Sequence, residues 1–375
     1  MKVDIIGNIF GLSGYDRHTR GLANALNDVG IDVKLSVSLI EQWERQVNDF
    51  ELNAITKTFD KDRTMIAITQ PQHWRLYLAQ KPKHFFGFCV WEGDKVPEYW
   101  LPYLFDTRVN KILVPSNHTK DAIIKTIRNY PNITVKNLDN INKTVNKIHI
   151  IPHGYDSSKY YPDKKKPNKK FTFLANKGWS QGAYDRGGMQ YIFKAFTEEF
   201  TNKDNVCLKA KINMSYNAPN WNHKEELKKI GIIKNKDTPE ILLNLSNLND
   251  KALNNFYNEG DVFISTSMAE AFNLPVIEAM ATGIPAIVTE FGGQSDFVNS
   301  DNGYLINKGH LINYSKEIAY EETKWFKPSI AKIRNVMRRA YENQKEVKEK
   351  GKKALLKASE YTWIQASKKL KKLLF

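Results

Sequence analysis

The sequence predicts an α/β protein of two domains, each a parallel sheet with helices on its faces. Three observations carry this. The chain has 375 residues, and at about 150 residues per domain two separate cores are expected. Short apolar, β-branched runs alternate with amphipathic helical segments, the pattern of parallel strands joined by crossover helices. The alternation breaks at YDSSKYYPDKKKPNKK (155–170), a Lys- and Pro-rich stretch without hydrophobic period that reads as a linker, and then restarts.

In the first half, strands are expected at 3–6, 33–37, 64–69, 84–90, 111–115 and 147–152, with helices such as 15–29, 96–104 and 119–128 between them. The polar piece PNITVKNLDNINKTVN (131–146) reads as a surface insertion. After the linker, strands are expected at 171–175, 206–211, 240–245, 261–266, 284–289 and 303–306, with a second insertion at 212–238. From Pro328 the chain is mostly helical and basic. Its tail carries the apolar set Ala354, Leu355, Ala358, Trp363, Ala366, Leu370, Leu373 and Leu374. The domains are placed at 1–160 and 161–355, with a C-terminal helix at 356–375.

Lys and Arg number 56 against 41 Asp and Glu, a formal charge of +15. That balance favours anionic partners: nucleotides, phosphorylated acceptors, an anionic membrane surface or nucleic acid. The lysines are spread over linker, insertions and tail without a recognition motif, so nucleic acid is not expected. The two cysteines, Cys89 and Cys207, stand far apart with no CxxC or Cys/His cluster. This argues against a disulfide framework or structural zinc and fits a reducing cytosol. The start, MKVDIIGNIF, lacks a signal peptide's pattern, and no run approaches the ~20 apolar residues of a membrane span. A soluble, cytoplasmic protein is the expectation.

Open parallel sheets bind ligands at the carboxyl ends of their strands. After the first strand, GNIFGLSGYDRHTRGLANAL places Gly7, Gly11 and Gly14 in a strand-to-helix loop. Such a loop lets backbone approach a ligand and offers N–H groups to an anion; it equally fits a tight βα turn. The second signal is EAFNLPVIEAMATGIP (270–285), which follows the strand DVFISTS. Between Glu270 and Glu290, Glu278 is the one ionisable side chain. The helix around it, 274–282, is apolar almost all round and should be buried. Asn273 and Pro275 start it, and Gly283 stops it. An unpaired carboxylate there would be costly. Glu278 lies about 7.5 Å along the axis from Asn273. If the helix N-terminus holds a diphosphate, Glu278 would accept hydrogen bonds from neutral hydroxyls such as a ribose, and Glu270 from a sugar at the other end. A solvated stripe or a core arginine partner is the alternative for Glu278.

The stretch EAFNLPVIEAMATGIPAIVTEFGGQSDFV resembles the signature of retaining GT-B glycosyltransferases, in particular glycosyltransferase family 4: Glu, seven residues, Glu, Ala-Met-Ala, Gly and an x-Pro strand. LSNLNDKALNNFYNEGDVFISTS, VPSNHTKDAI, IPHGYD, YDRGGMQYIFKAFTEEF and CLKAKIN are similar to other family segments, so the resemblance spans both halves. It implies two Rossmann-like domains whose sheets face across a cleft, with the C-terminal helix crossing back to the N-terminal domain and Trp363 near the crossing. Glu270 would contact the transferred sugar, and Glu278 would hold the nucleotide ribose. Backbone around Phe272, Asn273 and Leu274 would bind the diphosphate, with Ser13 and Gly14 contributing from the first domain. Arg186 matches the arginine of an Arg-Lys-Gly motif that stabilises the departing diphosphate.

Gly187 stands where the family usually has that lysine, and Ala271 and Asn273 stand where it usually has glycine. A leaving nucleoside diphosphate develops negative charge, which makes Lys177 and Lys211 candidate replacements; a solvated surface charge is the plain alternative for each. On the acceptor side, Trp91 would stack on a sugar, Glu92 would orient a hydroxyl, and His73 ends a neighbouring strand. Each also fits an ordinary packed or loop role. Asp60 and Asp62 in FDKDR have the spacing of a metal pair, yet their setting reads as a turn. No metal or cofactor is expected. The implied activity is metal-independent, retaining transfer of a sugar from a UDP- or GDP-sugar to an acceptor hydroxyl of a glycan, lipid-linked or protein acceptor, in glycan or polysaccharide synthesis. A sugar-nucleotide epimerase, a phosphorylase or a non-catalytic binding relative on the same fold are the alternatives. Peripheral contact with a cytoplasmic membrane face is the alternative use of the basic tail.

Overall fold

Each of the twelve runs read as strands forms a strand, in two separate sheets. The computed structural model describes residues 1–38, 46–130, 138–163, 169–214, 221–313 and 323–374. The first sheet contains β1 (Lys2–Gly7), β2 (Asp32–Val37), β3 (Thr64–Ala67), β4 (His84–Phe88), β5 (Lys111–Val114) and β6 (Ile148–Ile150) in the order β2-β1-β3-β4-β5-β6. All its pairings are parallel. The second contains β7 (Phe171–Gly178), β8 (Val206–Asn213), β9 (Glu240–Asn244), β10 (Val262–Ser265), β11 (Ala286–Thr289) and β12 (Gly303–Ile306) in the order β12-β11-β10-β7-β8-β9, again all parallel. Helices cover both faces, so β3, β10 and β11 are buried along their whole length, as their unbroken apolar runs require.

Strand order decides where a ligand can sit. Counted within its own sheet, the second order is that of a doubly wound dinucleotide fold, and its direction of winding reverses between β7 and β10. Crossover helices leave the sheet on opposite faces there, opening a crevice at the carboxyl ends of those two strands. In the first sheet the same reversal falls between β1 and β3, beside the glycine loop.

The chain divides into two units. Met1–Gly154, Asn313–Lys324 and Tyr361–Phe375 form the first; Tyr155–Ile312 and Trp325–Glu360 form the second. The basic tail is therefore two helices. Gln344–Ser359 lies in the second unit, with Ala354 and Ala358 buried and Gly351 close against Gly283. Trp363–Lys371 lies in the first, where the Trp363 indole fills the space above Gly21 in the helix Gly14–Asp28.

Several local expectations need correction. The segment 155–163 is not a free linker: Tyr155 and Tyr160 are buried, and Asn254 and Asn258 hold the backbone of Tyr161 and Asp163. The polar piece 131–146 ends in a helix, Leu138–Asn146, that buries Ile141 and Thr144; its residues 131–137 lie outside the described residues. The helix expected at 96–104 is a 3-10 turn, Glu98–Trp100, followed by one helical turn, Leu101–Leu104, because Pro97 and Pro102 remove backbone donors. The two-stranded sheet of β13 (Gly309–Asn313) and β14 (Lys324–Pro328) was not foreseen.

Candidate functional site

The crevice at the reversal of the second sheet collects Lys177 from the end of β7, Arg186 from the loop beyond it, and Glu270 and Asn273 from the loop after β10. The Lys177 Nζ donates to Glu270 Oε1 at 2.6 Å and to Asn273 Oδ1 at 2.7 Å. Arg186 Nη1 lies 3.8 Å from the same Glu270 oxygen and donates to the Ala269 carbonyl at 2.7 Å. The Lys177 and Glu270 side chains are only 10% and 14% exposed. Burial alone would raise the Glu270 carboxyl; the Lys177 and Arg186 charges overcome this and hold it below the usual carboxylate range. Burial pushes the Lys177 ammonium below its usual value, against the pull of Glu270.

Backbone bonds weld these loops together. Met268 N–H donates to the Arg186 carbonyl, and Gly293 N–H donates to the Glu270 carbonyl. Thr266 Oγ1 bonds the Gly188 carbonyl at 2.7 Å. Gly188 is left-handed, at φ 80°, and a Cβ there would strike the Thr266 backbone. The site thus rests on sheet ends and not on mobile tips.

The helix Leu274–Ala281 begins at Asn273, which is also left-handed (φ 83°, ψ 67°) and places no side-chain cap on the first turn. Its amide instead reaches Lys177, and Ser265 Oγ at 3.0 Å. The helix N-terminus therefore keeps its positive dipole end without a protein anion capping it, the arrangement that favours phosphate. Leu274 and Phe272 are buried beside it, the latter against Phe297 at a ring separation of 5.0 Å.

Glu278 is buried, as the apolar helix required: it is 1% exposed, which excludes a solvated stripe, and Tyr257 Oη donates to its Oε2 at 2.9 Å. Asn176 Nδ2 donates to the same phenol oxygen at 2.9 Å. Asn176 and Lys177 are successive residues of β7, so they face opposite sides of the sheet. One serves Glu278 and the other Glu270. Tyr257 and Asn176 escaped the sequence reading; the one available signal was that a carboxylate inside an apolar helix must have a buried donor.

The same alternation separates the candidate lysines. Lys211 is in register with Asn176, and Lys177 with Ile212. Lys211 is buried on β8 on the face of Asn176, while Lys177 alone of the two reaches Glu270. A Cβ at Gly187 would lie 3.6 Å from the Lys177 Cβ, 3.1 Å from the Gly178 carbonyl and 2.9 Å from Asp185 Oδ1. Lys177 thus occupies the neighbourhood that a side chain at 187 would need.

The first-unit candidates have other surroundings. Ser13 caps the helix Gly14–Asp28 in a capping box with Asp16, whose carboxylate takes the amides of Gly11 and Ser13. Those two amides meet an internal acid and not a ligand, while a Cβ at Gly14 would meet open space. The Trp91 ring is 2% exposed, set edge-on against Trp100, with its Nε1 donating to the Lys95 carbonyl. That ring is a core element, and stacking on a sugar is corrected accordingly. Glu92 is half-buried, its carbonyl 2.8 Å from His118 Nε2, and His73 is exposed at the end of a 3-10 turn. Asp60 and Asp62 form a turn, the Asp60 carboxylate accepting the Asp62 amide and pairing with Lys2. Cys89 and Cys207 are free and buried. Among the described residues no helix is long and apolar enough to cross a membrane.

Residues 220–325, which include Glu270, Asn273 and Glu278, match the family profile of glycosyl transferases group 1. A putative glycosyltransferase of Sulfolobus islandicus filamentous virus is 25% identical over 299 residues, 76% of this chain and 72% of that protein. A sucrose synthase of Thermosynechococcus vestitus is 36% identical over 58 residues, 15% of this chain and 7% of that protein. Among solved structures, Anabaena HepE in complex with UDP-glucose superposes with a TM-score of 0.65 at 12% identity, covering 100% of this chain and 99% of that one. The fold is GT-B, as the resemblance implied.

Proposed function

We propose that this protein is a retaining, metal-independent glycosyltransferase that moves a sugar from a UDP- or GDP-sugar to an acceptor hydroxyl in glycan or glycoconjugate synthesis. The observation that carries the reading is the buried Glu270–Lys177–Asn273 cluster at the uncapped N-terminus of the helix Leu274–Ala281, with Glu278 deeper on the same helix. The diphosphate sits at the helix end, where the helix dipole, Lys177 and Arg186 compensate the charge that develops as it leaves. Glu270, kept ionised by those cations, accepts hydrogen bonds from sugar hydroxyls. Glu278 does the same for the ribose. Lys177 stands in for the lysine absent at Gly187, and Lys211, on the other face, does not.

In the reaction the acceptor oxygen bonds to the anomeric carbon as the bond from that carbon to the diphosphate oxygen breaks. The acceptor's proton passes to the departing phosphate, and attack from the leaving-group face retains configuration. The UDP-glucose bound by HepE supports a nucleotide-sugar donor. The acceptor is a glycan, a lipid-linked sugar or a protein, and the first unit's Glu92 and His73 are the residues proposed to meet it. The test is incubation with UDP- and GDP-sugars and an acceptor panel in EDTA, with the product's anomeric configuration read by NMR. Transfer with retention is expected; an inverted product or strict dependence on added divalent metal overturns the mechanism.

A further inference from the structure

We propose that Tyr257 is a positioning residue for nucleoside recognition, its hydroxyl locking the Glu278 carboxylate in the orientation that receives ribose hydroxyls. This rests on the reading of Glu278 as the ribose-binding group.

The argument begins with a rotor. The terminal torsion of a glutamate side chain is broad, so a buried carboxylate has no preferred plane unless a neighbour sets one. Tyr257 is such a neighbour: the phenol is fully buried on the helix Asp250–Asn258 and donates to Glu278 Oε2 at 2.9 Å. Its ring is itself fixed edge-on by Phe263 at 5.8 Å and by Tyr160 at 6.0 Å. A phenol has one proton to give. Asn176 Nδ2 donates to the phenol oxygen at 2.9 Å, so that oxygen accepts from the amide and directs its proton to the carboxylate. The order Asn176 to Tyr257 to Glu278 thus runs in one direction and ends on a carboxyl oxygen.

A buried phenol needs a partner for stability alone, so loss of stability on mutation does not distinguish the two roles. Selectivity for the ribose hydroxyls does. The probes are three pairs: UDP, GDP and ADP, each with its 2′,3′-dideoxy counterpart. Binding is measured by calorimetry on the full chain, using the base whose ribonucleotide binds most tightly. The wild-type protein is expected to prefer the ribonucleotide by about tenfold or more, because the dideoxy form lacks the hydroxyls that would donate to the carboxylate. In Tyr257→Phe that preference is expected to shrink to about threefold or less, while affinity for the dideoxy nucleotide changes little.

A wild-type preference that persists undiminished in Tyr257→Phe overturns the positioning role and leaves Glu278 as the ribose group. No wild-type preference for any pair, or no binding of any ribonucleotide, overturns the ribose reading and this inference with it. If Tyr257→Phe fails to fold, as read by far-UV circular dichroism, Asn176→Ala decides: it removes the amide that donates to the phenol oxygen and orients its proton, so a reduced preference supports the relay and an unchanged one overturns it.

Discussion

Lys177 and Glu270 meet at 2.6 Å in a setting where each alone would be an uncompensated buried charge. Under the proposed function, the pair ties catalysis to pH. With Lys177 and Arg186 alongside, the Glu270 carboxyl stays ionised below its ordinary range. Lys177→Met removes the nearer cation but leaves the burial, so the acid limb of kcat/KM should move to higher pH. A pH–rate profile between 4 and 8 checks this; a limb that stays in place shows that Glu270 is not the group titrating. The same substitution should lower kcat about 10²–10³-fold, the typical cost of losing one preorganised donor to developing charge. Lys211→Met should cost far less in kcat, because Lys211 lies on the opposite face of β7 and β8 from Glu270. Equal losses from the two lysine variants would refute the assignment of Lys177 as the lysine that supports the leaving group.

At the scale of the element, the helix Leu274–Ala281 depends on its entry. Asn273 holds a left-handed conformation that costs a β-branched residue about 1–3 kcal/mol and glycine nothing. Asn273→Val should therefore lower the melting temperature by several degrees and also remove an acceptor of Lys177. Asn273→Gly should leave the melting temperature nearly unchanged, since lost side-chain bonds to Ser265 and Lys177 are offset by relief of strain. Thermal unfolding of both variants compares them directly; equal losses would show that the side-chain bonds, not the backbone, fix the entry. This helix was legible in the sequence for a plain reason. A solitary glutamate among apolar residues, a Pro at the second position and a Gly beyond the end mark burial, start and stop without reference to anything distant. Tyr257 was not legible, because nothing local to Glu278 says which residue of another helix will face it. The segment 155–163 misled for the opposite reason: its lysines and proline mark a polar stretch, and only the asparagines of the helix Asp250–Asn258 turn it into a packed one.

At the scale of the molecule, the first unit buries two imidazoles in contact. His18 and His153 lie 4.1 Å apart between ring centroids, with Phe88 and Trp363 around His18, and neither ring nitrogen of His18 has a hydrogen-bond partner. Burial pushes both below the ordinary histidine value, His153 to about 3. The native state therefore holds them neutral, while the unfolded chain takes up protons below about pH 6.5. Their contribution to stability is complete above that pH and is lost as pH falls toward the native values. At pH 5 the loss should be about 2 kcal/mol per histidine. Denaturant unfolding at pH 7 and pH 5 measures it, and His18→Leu should flatten the dependence. Unchanged stability between those pH values would show that water or motion already relieves the pair. Below about 4.5 the depressed carboxylates, Glu270 among them, add their own loss.

The sequence by itself determined the twelve strands of the two sheets, the buried helix with Glu278 inside it and Glu270 on the loop before it, and the likeness that named the fold. These follow from local rules: hydrophobic period, turn chemistry and the cost of a charge in an apolar run. The tertiary structure alone decided the strand order, and with it the reversal between β7 and β10 that brings Lys177 to Glu270. It also chose between the two lysines and supplied Tyr257 and Asn176. Those choices depend on which strands become neighbours across long stretches of chain, and that is settled by how the whole core packs.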